Sequence, residues 1–117
     1  MQGAAILLGL AALGGLTLAG IRLRGTPRPP TWMALGHGAV AAAGLAFLIY
    51  PAIVSGIPVL AQIALAIFVL ASLGGGLLFV GFHLREKPLP IPLVLGHGLA
   101  ALTGYVLLLI SLLGYGG

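Results

Sequence analysis

Four long apolar stretches are separated by three short breaks along this chain. The breaks read "RLRGTPRPP", "YPAIVSGIP" and "HLREKPLPIP", and they hold most of the polar and turn-forming residues. Between them, positions 3–21, 32–50, 58–82 and 92–113 are almost wholly apolar. Each is close to the ~20 residues that a helix needs to cross a hydrocarbon layer ~30 Å thick. The alternating apolar-out, polar-in pattern of a membrane β-barrel is missing: a run such as "AQIALAIFVLA" is apolar on every face. The pattern predicts an all-α membrane protein, with one four-helix transmembrane domain over residues 1–117.

Composition agrees. Of the 117 residues, 61% are hydrophobic and 5% charged. A water-facing surface needs roughly 25% charged residues, so the expected solvent is lipid. The absence of cysteine removes disulfides, thiolate metal sites and cysteine nucleophiles. The net charge of +4 comes from five basic residues against one acidic residue. Arg22, Arg24 and Arg28 lie in the first break, and Arg85 and Lys87, beside Glu86, lie in the third. They are too few to make a nucleic-acid footprint, which needs a basic face. They do set a topology under the positive-inside rule: loops 22–31 and 83–91 cytoplasmic, both termini periplasmic or extracellular. The first stretch opens with Met1-Gln2, carries no leading cation and is longer than a signal-peptide core, so a retained helix is expected.

The two halves resemble each other. "LGHG" stands at 35–38 and again at 95–98, and a shift of 60 superposes 35–50 on 95–110 with seven identities, Ala41/Ala101 and Gly44/Gly104 among them. A shift of 61 aligns "GGLTLAGIRLR" with "GGLLFVGFHLR", pairing Gly14 with Gly75 and Arg22 with His83. The expected architecture is therefore two helical hairpins in parallel repeat, about 3–50 and 58–113, related by an axis along the membrane normal. His37 and His97 then share one depth, about one turn inside the cytoplasmic interface. Pro29, Pro30, Pro90 and Pro92 fall at helix starts, where a missing N–H costs nothing, and Pro51 and Pro58 bracket the outer turn.

Ionisable groups inside a membrane are costly and mark function. The inventory is His37, His97 and, at the boundary, His83, taken as a plain interfacial side chain. Two imidazoles on facing helices can fill both axial positions of a haem b, with Arg22, Arg24 or Arg85 pairing with its propionates. Single-histidine ligation of a chlorin magnesium is a narrower version of that idea. The alternative is that both histidines brace the fold by bonding to backbone carbonyls or to each other. A metal site built from protein ligands alone wants three of them, and the only acid is Glu86, so no such metal is expected. Ser55, Ser72 and Ser111 lie far from the histidines along the spans, which removes a triad, and no catalytic residue is expected. Small oligomeric transporters carry a membrane-embedded acid for proton coupling, and the four apolar stretches here contain none, although histidine could carry protons.

Small residues recur at helical spacing: Gly36, Val40, Gly44 in one half and Gly96, Ala100, Gly104 in the other. Such stripes predict close helix packing, within the chain or against neighbours. Tyr50, Tyr105 and Tyr115 are expected as packing or interfacial aromatics.

The stretch "GFHLREKPLPIPLVLGHGLAALTGYVLLL" resembles a family of small bacterial four-helix inner-membrane proteins to which no activity is attached. Phe82, His83, Leu84, Arg85, Pro88, Pro90, Pro92 and His97 carry the likeness; in the first half Arg22 stands where the second has His83. The resemblance implies a bacterial inner membrane and a multi-pass topology. By elimination, the expected function is non-catalytic: an accessory or stabilising subunit of a larger, energy-transducing membrane complex. Its partners would be the lipid bilayer and other membrane subunits or further copies of itself. The second expectation is a b-type electron carrier with His37 and His97 as haem ligands, and the third a small transporter or channel.

Overall fold

In the computed structural model, which describes residues 1–114, the apolar stretches are helices: α1 (Gln2–Leu23), α2 (Thr31–Val54), α3 (Val59–Gly76) and α4 (Ile91–Leu112). α3 continues directly into a π-helical segment, Leu77–His83. All four spans are long and apolar enough to cross a membrane, and there is no strand among the described residues.

Proline sets three of the four helix starts. Pro30, Pro58 and Pro90 stand just before α2, α3 and α4 in extended backbone. Each has no N–H to orphan, and each carbonyl accepts the first helical bond, from Ala34, Gln62 and Val94. Gly25 (φ 109) and Gly56 (φ 79) follow α1 and α2 in the left-handed region that glycine enters without strain. One expectation needs correcting. Pro51 does not bracket the outer turn but lies inside α2, which runs on to Val54. Its fixed φ suits the helix, but it forfeits the bond to the Phe47 carbonyl and its ring crowds that carbonyl, with only three helical residues left to follow.

The helices pair as two hairpins, α1 with α2 and α3 with α4. Contacts between α1 and α4 close one side of the bundle, while α2 and α3 meet only sparsely. The two short cation-bearing loops, 24–30 and 84–90, share one end of the bundle, here termed the charged end; the turn between α2 and α3 lies at the other.

The core is built from small side chains. Ala4, Ala5, Leu8, Leu48, Ala61, Ala64, Phe68 and Leu108 form one buried cluster. Alanine at the centre lets backbones approach closely, which supplies the van der Waals contact that drives helix association in lipid. Leu8 packs into the notch left by Gly44, where a Cβ would lie 2.8 Å from its Cγ. Phe68 packs against Gly104 in the same manner. Buried positions recur sixty residues apart: Ala4 and Ala64, Leu8 and Phe68, Ala11 and Ala71, Leu48 and Leu108. Trp32, Ile53, Leu70 and Leu113 face outward.

Candidate functional site

His37 and His97 each lie six residues into their helices, roughly 9 Å from the helix start. That is nearly two turns, deeper than the single turn expected. Each ring crosses to the partner helix of its own hairpin. His37 Nδ1 is 2.8 Å from the carbonyl oxygen of Ala11, and His97 Nδ1 is 2.7 Å from that of Ala71. A carbonyl can only accept, so Nδ1–H donates in both cases. The neutral ring is then fixed in one tautomer with its lone pair on Nε2.

Glycine makes these crossings possible. A Cβ on Gly15 would lie 3.0 Å from His37 Cε1, and one on Gly75 2.9 Å from His97 Cε1. Gly14 and Gly74 line the same two rings at ordinary contact distance. Each imidazole therefore rests on bare helix backbone, in a cradle that any side chain would fill.

The cradles bring the two rings together. Their centres are 6.2 Å apart and their planes stand at 85°. A metal bound in line between two Nε2 atoms, with bonds of about 2 Å, would place the ring centres roughly 6 Å apart. No cluster of three or more histidine, cysteine, aspartate or glutamate side chains exists among the described residues. Two imidazoles without a third protein ligand suit a metal that brings its remaining ligands with it. Next to the histidines in sequence, Gly36, Gly38, Gly96 and Gly98 face open space, where an added Cβ would meet nothing within 4 Å. A cleft of about 250 Å³ lined by Leu10, Gly14, Trp32, Met33 and Gly36 reaches His37 from the side.

If the halves are read as a repeat, the contacts move its register from the one expected. His37 lies on Gly14 and Gly15, and His97 on Gly74 and Gly75, so Gly14 corresponds to Gly74 and not to Gly75. The extra residue of the second half enters after the cradle. It is absorbed in the π-helical turn Leu77–His83, the usual way a helix accommodates a one-residue insertion.

That turn also governs the charged end. His83 is 4% exposed, so it is not a plain interfacial side chain. Its Nε2 is 2.9 Å from Thr31 Oγ1, and its ring stacks on Phe79 with centres 5.2 Å apart. The signal for its burial was in the sequence, as the single-residue offset between the halves. Arg22, half-buried, donates from Nε to the Leu89 carbonyl at 2.8 Å, and Arg28 donates from Nη1 to the His83 carbonyl at 3.2 Å. Arg24 and Arg85, singled out with Arg22 in the sequence, are exposed on the loops.

The remaining polar groups form no path through the bundle. Thr17 and Thr103 donate to carbonyls of their own helices, and Gln62 donates to the Ile57 carbonyl at the outer turn. Tyr105 donates to the Ala5 carbonyl at 2.9 Å and ties α4 to α1, while Tyr50 is exposed. Tyr115 lies outside the described residues. Comparison with protein-family models, with curated proteins and with solved structures gave no match.

Proposed function

We propose that this chain is a four-span protein of a bacterial inner membrane that holds one b-type haem between His37 and His97. The observation that carries the reading is the imidazole pair. Both rings are fixed in the tautomer that leaves Nε2 free, their centres are separated by the 6.2 Å that two imidazoles on one metal would show, and no third protein ligand stands near. Hydrogen bonding of a ligand's Nδ1–H to a carbonyl is the usual second partner of a metal-binding histidine, because it orients the ring and raises its basicity. A haem iron carries four in-plane nitrogens of its own and needs only the two axial positions.

The buried positions sixty residues apart and the matching Ala11 and Ala71 bonds support a duplicated hairpin in parallel repeat. The cation-bearing loops then lie in the cytoplasm and the termini on the opposite side. A haem held in this way would supply reversible one-electron chemistry, so the role we infer is electron transfer within the membrane.

A second reading, a stabilising subunit of a larger complex, is favoured by Gly36, Gly38 and Gly96. They are exposed, and an outward position in lipid gains nothing from glycine, whereas a partner helix can approach a bare backbone. The two readings are compatible, because a haem carrier needs a donor and an acceptor.

The test is an absorption spectrum of gently solubilised protein, oxidised and then reduced with dithionite. A Soret band with sharp reduced α and β bands, lost in both His37→Ala and His97→Ala, is expected. A colourless protein that also fails to take up added haemin would sink the haem reading, and co-purification with large partners would then leave the subunit reading alone.

A further inference from the structure

At the charged end, beyond the two imidazoles, the chain closes with a polar knot that its own residues do not complete. Arg22 reaches from the last turn of α1 to the Leu89 carbonyl, and Arg28 reaches from loop 24–30 to the His83 carbonyl. Leu89 N–H donates to the Pro27 carbonyl at 3.1 Å, which ties the two loops to each other. His83 is locked beneath them by Thr31 and Phe79. Both arginines are half-buried. Each has five N–H donors in a planar fork, and the bonds to these carbonyls use one apiece.

The unused N–H groups of a half-buried guanidinium are met by water or by an anion, and an anion makes the stronger, charge-assisted bond. The chain has one acidic side chain, Glu86, and it is exposed. An anion that paired with this knot would therefore come from outside the chain. Its place along the bundle indicates which. Arg22 lies seven residues beyond Gly15, the residue under the His37 ring, and so roughly 10 Å further along the axis. That is about the reach from the iron of an upright haem to its propionate carboxylates. Guanidinium forks suit carboxylates because two parallel N–H groups match two oxygens.

We propose that Arg22 and Arg28 receive the two carboxylate arms of the tetrapyrrole, so that the cofactor stands with its charged edge toward the loops. This rests on the haem reading above and replaces Arg24 and Arg85, which lie outside the knot. Phosphate headgroups of anionic lipid offer a related chemistry, and the experiment separates the two sources.

The full-length protein in detergent is titrated with iron protoporphyrin IX and, separately, with its dimethyl ester, whose arms carry no charge. Each titration is corrected for partition into empty micelles. The free acid is expected to bind about tenfold or more tightly than the ester, with both giving the same low-spin bis-imidazole spectrum. In Arg22→Gln and Arg28→Gln the advantage of the free acid shrinks while the spectrum is unchanged; Arg28→Lys retains part of it. Equal binding of acid and ester by the unmodified protein overturns the inference, leaves the haem reading intact and assigns the knot to lipid phosphate. Failure of both porphyrins to give a low-spin spectrum overturns the haem reading itself. The comparison of acid with ester needs no variant, so it stands even if an arginine substitution prevents folding.

Discussion

A methyl group placed on Gly75 would lie 2.9 Å from Cε1 of His97, 3.4 Å from its Nε2 and 3.5 Å from its Nδ1. Carbon atoms normally rest about 3.5–4.0 Å apart, so the ring must retreat by half an ångström or more. It cannot do so freely, because its Nδ1 is held 2.7 Å from the Ala71 carbonyl and the imidazole is rigid. Withdrawal stretches that bond towards the limit of a useful N–H···O contact, at a cost of about 1 kcal/mol. Strain from overpacking adds about 1–3 kcal/mol. Against this, alanine in place of glycine favours the helix by about 1 kcal/mol. Gly75→Ala should therefore destabilise the protein by about 1–3 kcal/mol. Gly76→Ala is the matched comparison: an added Cβ there meets nothing within 4 Å, so only the propensity gain remains. One residue along the same helix, the same substitution should have the opposite sign. Unfolding in one detergent, followed by helical circular dichroism, measures the difference. Haemin titration of both variants asks whether the displaced ring still ligates; weaker binding is expected for Gly75→Ala alone. Equal stability and equal haemin affinity in the two variants would refute the cradle argument.

Three further outcomes follow from other contacts. Gly9→Ala places a Cβ against the Tyr105 hydroxyl and breaks its bond to the Ala5 carbonyl; it should cost more stability than Tyr105→Phe, which loses about 0.5–1.5 kcal/mol in the same unfolding assay. Glu86→Cys should react with a membrane-impermeant thiol reagent only from the cytoplasmic side of inverted vesicles, and Ser55→Cys only from the outer side of intact cells; the reverse pattern would overturn the topology. Deleting Gly76 should convert the π-helical turn to regular α-helix and turn His83 away from Thr31, seen as faster modification of His83 by diethylpyrocarbonate and unchanged modification of His37 and His97.

Much of the fold was legible because one constraint dominates an apolar chain. Backbone groups without water must bond within the segment, so four apolar stretches of the right length read as four helices, and prolines mark their starts. The paired histidines were legible too, as "LGHG" written twice. Their partners were not. A hydrogen bond from Nδ1 to the Ala11 carbonyl uses no side chain of Ala11, and nothing in an alanine announces an acceptor. The cradle glycines were visible only as small residues, a pattern that equally suits general packing. The register of the second half was misread at Gly75 because three consecutive glycines, Gly74–Gly76, allow either alignment. Only the contact with His97 decides between them. Pro51 was misread for a related reason: a proline near a helix end is compatible with the turn or with the final turn of the helix.

Symmetry and asymmetry in the bundle divide along the molecule in a way that suits the proposed ligand. At the level of the histidines the two hairpins present the same elements: a glycine pair, an alanine carbonyl and an imidazole with a free Nε2. A two-fold axis along the bundle would exchange those imidazoles while keeping the charged end distinct from the other. A haem has this same property, with two equivalent axial faces and one charged edge. At the charged end the equivalence fails, because the inserted residue puts His83 where the first hairpin has Arg22, and Arg28 in the first loop has no cationic counterpart among the prolines of the second. A bundle serving only to pack against a partner would have no need of identical cradles around facing imidazoles. One serving only to bind lipid phosphate would have no need of paired, half-buried histidines further along the bundle. The two features together point to a single ligand that is symmetric where it is coordinated and charged along one edge.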